Sequence, residues 1–460
     1  MSDFIQQLQS IVGVAYVLSD EDDLQTYGQD WSRLFRPDPL VVVKPADTLQ
    51  VAKVIRLCQQ HNIAIVPSGG RTGLSGGACA TNKELVLSLD RLNQITDFNA
   101  LDRTVVCGAG VVTEQLQQFA DDQGLYYPVD FASAGSSQIG GNIATNAGGI
   151  KVLKYGLTRD WVMGLTVVTA SGEILEFNHG LVKNATGYDM RHLMIGSEGT
   201  LAVITEATMK LTNPPQNPTV MLLATEDLAC VSNLLEYFQA NIELMAFEFF
   251  SHAALEKVMS HRQLKSPFGE PAAFYVLVEF ECPQESAMDS ALAAFEHAAE
   301  QSWLIDGVIS QSSQQAEELW QYREGISESI AHYPPYKNDI AVKPSQVGPF
   351  LQAVDHFVTT NYPQFENIWF GHIGDGNLHL NILKPAELPL EEFKAQCATA
   401  NPHIFKILQS FQGSISAEHG VGLLKKEYLQ YSRSDAELTL MKSVKQLFDP
   451  DNRLNPGKLF

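Results

Sequence analysis

At 460 residues the chain has room for two or three domains, and its 45% hydrophobic and 18% charged content is that of a globular protein, not a disordered one. The formal net charge of −22, from 31 basic against 53 acidic residues, argues against nucleic acid or an anionic membrane as default partner. An anionic substrate would be repelled overall and would need a local basic pocket. Six cysteines (Cys58, Cys79, Cys107, Cys230, Cys282, Cys397) are scattered without a CxxC pair and read as small buried hydrophobes of a reducing compartment. Met1-Ser2-Asp3-Phe4 carries neither the basic nor the apolar part of a signal peptide, and no run of about 18 apolar residues exists to span a membrane. A soluble cytoplasmic protein is expected, with loose attachment to an inner membrane as the alternative.

Residues 1–36 read as polar and helical, with Trp31 and Phe35 packing on a core. Leu40-Val41-Val42-Val43 reads as a short buried strand. Thr48 is expected to cap an amphipathic helix reaching about His61, with Val51, Val54, Ile55 and Leu57 on its apolar face. Residues 63–67 form a second strand, running into Pro67-Ser68-Gly69-Gly70-Arg71-Thr72-Gly73-Leu74-Ser75-Gly76-Gly77. Bare backbone N–H groups in such a loop can approach an anion closely. The spacing fits neither the P-loop nor GxGxxG, and a strand at 85–89 follows where those motifs need a helix. A plain glycine-rich turn and a pyrophosphate loop of another fold both remain open at this point.

A second small-residue cluster is Ala134-Gly135-Ser136-Ser137-Gln138-Ile139-Gly140-Gly141-Asn142-Ile143-Ala144-Thr145-Asn146-Ala147-Gly148-Gly149. It combines high hydrogen-bonding capacity with little bulk, which suits close wrapping of a large planar cofactor. Tyr155-Gly156-Leu157-Thr158-Arg159-Asp160 follows, then strands over 162–170 and 173–177. A third cluster is Ile195-Gly196-Ser197-Glu198-Gly199-Thr200-Leu201-Ala202-Val203-Ile204-Thr205. Asn213-Pro214-Pro215 and Asn217-Pro218 make a stiff break and mark a domain boundary.

Beyond it, strands at 219–224 and 275–280 alternate with helices at 228–238 and 287–300. Arg323 and Ser327 are four apart and are expected on one helix face. An arginine there is ordinarily a solvated face, but a guanidinium fork also suits bidentate carboxylate recognition. In Gly371-His372-Ile373-Gly374-Asp375-Gly376-Asn377-Leu378-His379-Leu380-Asn381, Asp375-Gly376 is a hairpin signal. A two-residue loop there sets His372 directly opposite His379, Cβ atoms about 5 Å apart. Asn381 projects from the same face as His379. It is either a plain strand residue or a donor to a substrate carboxylate.

Further on, Ser416-Ala417-Glu418-His419-Gly420-Val421-Gly422 offers an adjacent carboxylate and imidazole. His372, His379 and Glu418 then read as ligands of one divalent metal in a site of catalytic type, with His419 as the base beside it. The ordinary alternative is two surface histidines on a hairpin. Zinc is the first choice for such a set, and manganese, cobalt or iron also suit it. Residues 385–410 and 434–447 read as helices.

The three glycine clusters, taken with the closing run Phe448-Asp449-Pro450-Asp451-Asn452-Arg453-Leu454-Asn455-Pro456-Gly457-Lys458, resemble the p-cresol methylhydroxylase/vanillyl-alcohol oxidase flavoprotein superfamily. The resemblance is to its FAD-linked D-2-hydroxy-acid dehydrogenase branch and runs from about residue 40 to the C-terminus. It implies an α+β architecture: an FAD-binding domain over 1–215, itself two α+β subdomains split near 100, a substrate-capping domain over 216–435 carrying the metal site, and a segment 436–460 that returns to the first domain. By resemblance the first loop (Pro67, Ser68, Gly69, Gly70, Arg71, Thr72, Gly73, Leu74, Gly76, Gly77) binds the FAD pyrophosphate. Gly135, Ser136, Gly140, Gly141, Asn142, Thr145, Asn146, Gly148, Gly149, Gly156, Arg159, Glu198, Gly199, Ile204 and, from the closing run, Asn455 complete the cofactor set. FAD attachment is expected to be non-covalent, since no histidine or cysteine lies in 135–149 or 196–205.

The same resemblance implies that Arg323, Ser327 and Lys337 clasp the substrate carboxylate. Ser327 stands where relatives more often carry threonine, and Lys343 interrupts a usually apolar strand. The expected activity is oxidation of a D-2-hydroxy acid to the 2-keto acid by hydride transfer to flavin N5, with the metal polarising the hydroxyl and His419 as base. D-2-hydroxyglutarate is the preferred substrate, with D-lactate or glycolate as the alternative and a metal-dependent hydrolase as a remote one. A quinone or an electron-transfer flavoprotein is the expected acceptor, and a homodimer is possible.

Overall fold

In the computed structural model, which describes residues 2–460, the chain divides into two units. The first runs to Gly149 and adds Gly156–Pro214 and Glu418–Phe460; the second is Ile150–Tyr155 with Pro215–Ala417. The chain thus re-enters the first unit at Glu418, ahead of the expected 436.

In the first unit, β1 (Val17–Leu18), β2 (Val41–Val43), β3 (Ile65–Ser68) and β4 (Leu85–Ser88) form a sheet in the order β1-β2-β4-β3, with β4 parallel to both neighbours. Continuous apolar runs suit strands covered on both faces, and β2 and β4 are wholly buried. The crossover from β2 to β3 is the helix Thr48–Gln60, burying Val51, Val54, Ile55 and Leu57. Asp47, not Thr48, caps it: the Asp47 carboxylate accepts from Gln50 N at 2.8 Å, and the Thr48 hydroxyl donates to Thr205 Oγ1 instead. Trp31 is 67% exposed, contrary to its expected core role. It follows the helix Glu21–Tyr27 in an irregular stretch, tied by its own N–H to Gly73 O.

A second sheet holds β5 (Ile95–Asn99), β6 (Thr104–Gly108), β7 (Val162–Thr169), β8 (Ile174–Phe177) and β9 (Ala202–Lys210), antiparallel throughout in the order β5-β6-β9-β7-β8. The C-terminal helix Asp435–Phe448 opens on a Ser434/Glu437 capping box. After it, Asp449 accepts from Arg453 N and Leu454 N. Ile65 N then donates to Arg453 O, and Asn455 N to Ile65 O. The closing run is thereby sewn to β3, the strand that feeds the first glycine loop.

The second unit is built on β10 (Pro218–Thr225), β11 (Leu244–Ser251), β12 (Phe274–Glu281), β13 (Asp306–Ile309), β14 (Tyr336–Ala341), β15 (Glu366–Gly371) and β16 (Asn377–Leu383). Their order is β13-β10-β12-β11-β15-β16-β14, all antiparallel. On one face Phe250, Ile368 and Phe370 pack with Leu319, Trp320 and Ile326. Truncating a ring such as Phe250, fully buried, would cost about 3–5 kcal/mol.

Three local expectations are corrected here. Phe370, not His372, pairs with His379, so the hairpin register is shifted by two residues. The connection is wider because Gly374 N donates to Phe247 O and Gly376 O accepts from Val342 N, drawing the loop toward other strands. At Gly376 (φ +85°) a Cβ would stand 1.9 Å from Val342 O, so only glycine permits that approach. Arg323 and Ser327 do not share one helix. Helix Ser313–Glu324 ends at Gly325 and a short turn Ile326–Ser329 follows, leaving Arg323 buried and Ser327 exposed. Lys343 interrupts no strand, since β14 ends at Ala341 and Lys343 is exposed beyond it.

Candidate functional site

In the first unit the two glycine clusters meet. A Cβ on Gly70 would lie 2.1 Å from Ser136 O, so the loop after β3 closes on the 134–137 segment only because residue 70 has no side chain. Between them opens a cleft whose empty space, counted out into open solvent, is about 900 Å³. Fifteen of the expected cofactor residues line it: Pro67, Gly69, Gly70, Arg71, Thr72, Gly73, Gly77, Gly140, Gly141, Asn142, Thr145, Glu198, Gly199, Ile204 and Asn455. Ser75, Ala78, Leu89, Gln138, Ala144, Ala202, Val203 and His419 line it too.

Ser68, Leu74, Gly76, Gly135, Ser136, Asn146, Gly148, Gly149, Gly156 and Arg159 are not among the lining residues. Several of these shape the wall from behind. Asn146, in the left-handed region, ends the helix Ile139–Thr145 and accepts from Arg159 N. Gly149 and Gly156 make room for Asp130 O and the Asp160 carboxylate.

Charge around the cavity is organised by Asp90. It accepts from Tyr27 Oη at 2.9 Å and Gln138 Nε2 at 3.0 Å, and pairs with Lys44 at 3.0 Å and Arg71 at 3.7 Å. Burial alone would raise its pKa, but these partners outweigh it and hold the carboxyl below the usual range. Arg71 also donates to Gly69 O and lies over the Tyr27 ring, which fixes the one cation among the lining residues of the loop.

Glu198 governs the opposite wall. Its carboxylate accepts from Val421 N (2.7 Å) and Gly422 N (2.8 Å), while Asn455 Nδ2 donates to Glu198 O and Gly77 O. Burial raises its pKa, and those two backbone donors oppose the rise. His419 sits just ahead of this pinned turn, its carbonyl accepting from Ser75 Oγ at 2.9 Å. Glu418 and His419, both half-buried, open the returning segment of the first unit.

The polar cluster of the second unit grows from one sheet face. Cross-strand pairs Lys337/Asn381 and Asp339/His379 on β14 and β16 put these four side chains on a common side, with Phe370 opposite His379 on β15. A two-residue register shift preserves the face, so the His372 and His379 rings still meet, with centroids 5.4 Å apart and nitrogens within 4.8 Å. Glu248 on β11, 1% exposed, lies 2.7 Å from both His372 Nδ1 and Arg323 Nη2. Arg323 lies 4.9 Å from the Phe370 ring centre, and neither its Nε nor its Nη2 has a hydrogen-bond partner among the described residues. His379 Nδ1 is 3.8 Å from Asp339 Oδ1, which accepts from Asn377 Nδ2.

Asn381 is buried, whereas Lys337 and Ser327 are exposed. Glu248 and Asp339 were not expected from sequence. The signal for Glu248 was a lone carboxylate inside the apolar strand Met245-Ala246-Phe247-Glu248-Phe249-Phe250, costly to bury unless paired.

A family model described as "FAD linked oxidases, C-terminal domain" matches residues 214–459, and an "FAD binding domain" model matches residues 39–178. The chain belongs to the FAD-linked oxidase family. It is 55% identical over 456 residues, 99% of this chain and 98% of the relative, to the D-2-hydroxyglutarate dehydrogenase of Stutzerimonas stutzeri (strain A1501). It is 51% identical to that of Xanthomonas citri pv. viticola, over 99% of this chain and 96% of the relative. Substrate-bound p-cresol methylhydroxylase superposes with a TM-score of 0.79 at 15% identity, covering 100% of this chain and 96% of that one, which gives the fold. Like other FAD-linked oxidases, the protein is an FAD-dependent oxidoreductase. The glycine-lined cavity, with its exposed backbone and Arg71, fits FAD.

Proposed function

We propose that this chain oxidises D-2-hydroxyglutarate to its 2-keto acid. The observation that carries the reading is the 55% identity, across 99% of the chain, to a protein named D-2-hydroxyglutarate dehydrogenase. In this reading Arg323 and Lys337 are the basic groups that an anionic substrate needs on a chain of net charge −22.

In this reading FAD, held non-covalently, supplies the two-electron acceptor, and a divalent ion of the zinc class, held by His372, His379 and Glu418, supplies a Lewis acid for the substrate hydroxyl. The adjacent imidazoles of His372 and His379, neutral nitrogen donors, fit such an ion. Arg323, Ser327 and Lys337 hold one carboxylate, and Asn381 donates to the other, which favours a diacid. The imidazole of His419 takes the proton of the C2 hydroxyl, its unperturbed pKa of about 6.5 suiting the exchange. Electrons pass on to a quinone or an electron-transfer flavoprotein. The same reading includes a cytoplasmic location and a homodimer.

The test is an anaerobic visible titration of purified protein with D-2-hydroxyglutarate, D-lactate and their L-enantiomers. Bleaching of the flavin band by D-2-hydroxyglutarate, lost after chelation and lost in His419→Ala with FAD retained, is expected. A yellow protein that no hydroxy acid bleaches would sink the substrate class, and near-normal turnover by His419→Ala would remove the base assignment.

A further inference from the structure

Glu248 is buried inside an apolar strand, flanked by Phe247 and Phe249, and an unpaired carboxylate there would be very costly. Its two oxygens are each matched to a different element. Oε1 is in a 2.7 Å hydrogen bond with His372 Nδ1, on the hairpin 124 residues downstream, and Oε2 is 2.7 Å from Arg323 Nη2, at the end of the helix Ser313–Glu324, an ion pair without hydrogen-bond geometry. We propose that Glu248 is a positioning residue that sets the ligand tautomer of His372 and the orientation of Arg323 through one carboxylate; the proposal deepens, and rests on, the metal reading above.

The argument is one of donors and acceptors. A carboxylate can only accept, so His372 must carry its proton on Nδ1, which makes Nε2 the lone-pair nitrogen that a metal would take. The same carboxylate engages Arg323 at one terminal nitrogen, while Phe370 lies beside the guanidinium. Arg323 Nε and Nη2 are both buried without a hydrogen-bond partner among the described residues, so the guanidinium is held by charge rather than by hydrogen-bond geometry. His372 is thereby linked to the carboxylate clasp through Glu248. Losing Glu248 should disturb metal affinity and substrate KM together.

Glu248→Gln is the informative variant: like Glu248→Ala it removes the counter-ion of buried Arg323, but it keeps the side chain's volume and one acceptor oxygen, so no cavity is opened beside the lost charge. Metal-stripped holo-flavoprotein would be titrated with Zn²⁺ against a chromophoric chelator, and with Co²⁺ while its d–d bands are recorded. The expected result for Glu248→Gln is a 10–100-fold loss of metal affinity, altered Co²⁺ bands and a raised KM for the D-acid, with FAD content retained and a thermal midpoint lowered by the loss of the Arg323 counter-ion. A second measurement needs no variant: ¹⁵N chemical shifts of His372 in the metal-free wild type should report the Nδ1–H tautomer. If wild type binds metal tightly and Glu248→Gln binds it equally well, or if His372 is the Nε2–H tautomer, the Glu248 role is overturned while the metal reading survives. If wild type takes up no metal, the metal reading fails and the Glu248 role falls with it.

Discussion

Lys458 offers the most direct test of how the first unit is held together. It is 2% exposed and its Nζ has no hydrogen-bond partner among the described residues. Burial pushes its pKa from the ordinary 10.5 down to about 8, with nearby Glu84 only partly opposing the shift. Below pH 8 the folded and unfolded chains both carry this proton, and the folded state bears the desolvation cost. Between about pH 8 and 10.5 the unfolded state binds more protons, so stability rises with pH, and above 10.5 the cost is gone. At about 1.36 kcal/mol per unit, the gap is worth about 3 kcal/mol. Lys458→Met keeps the stem and removes the charge. It should be more stable than wild type by up to about 3 kcal/mol near pH 7, and the two should converge by about pH 10.5. Urea unfolding of both holoproteins in excess FAD from pH 7 to 10.5 measures the difference. Lys458 does not line the cavity, so FAD saturation is not expected to mask the effect. Parallel curves across that range would refute the reasoning, as would a methionine variant weaker than wild type at pH 7.

Two further substitutions probe the cavity walls. Gly70→Val would drive its Cβ into Ser136 O, which a Cβ would meet at 2.1 Å, and should cost at least tenfold in FAD affinity by flavin fluorescence; unchanged affinity would show that the loop can back away. Glu198→Gln leaves one of Val421 N or Gly422 N facing an NH₂ donor, so it should destabilise by about 1–2 kcal/mol, the cost of one unsatisfied buried donor. If His419 is the base proposed above, turnover should fall more than FAD content because that turn follows it, which paired kinetics and flavin absorbance would separate.

The glycine clusters were legible because a chain that must approach a large ligand closely has to give up side chains, and that shows in sequence. What sequence does not distinguish is a glycine needed for the ligand from one needed for the protein's own backbone. Gly141 has nothing within 4 Å of its added Cβ and faces the cavity, whereas Gly149 would strike Asp130 O at 2.0 Å and does not line it. Both read alike in one chain. Glu248 was hidden for a different reason: its partners lie 124 residues away at His372 and on a separate helix at Arg323, so no local spacing could pair them.

The hairpin shows why local rules partly succeed. Asp375-Gly376 favoured a two-residue loop, but hydrogen bonds from Gly374 and Gly376 to neighbouring strands outcompeted that turn and moved the register by two. Side chains alternate with a period of two, so a shift of two returns His372 and His379 to the same side. A shift of one would have sent His372 to the opposite face and left Glu248 facing no imidazole. The face on which a strand's chemistry appears is therefore a sturdier inference than the partner it meets, because the first depends only on parity and the second on every strand alongside.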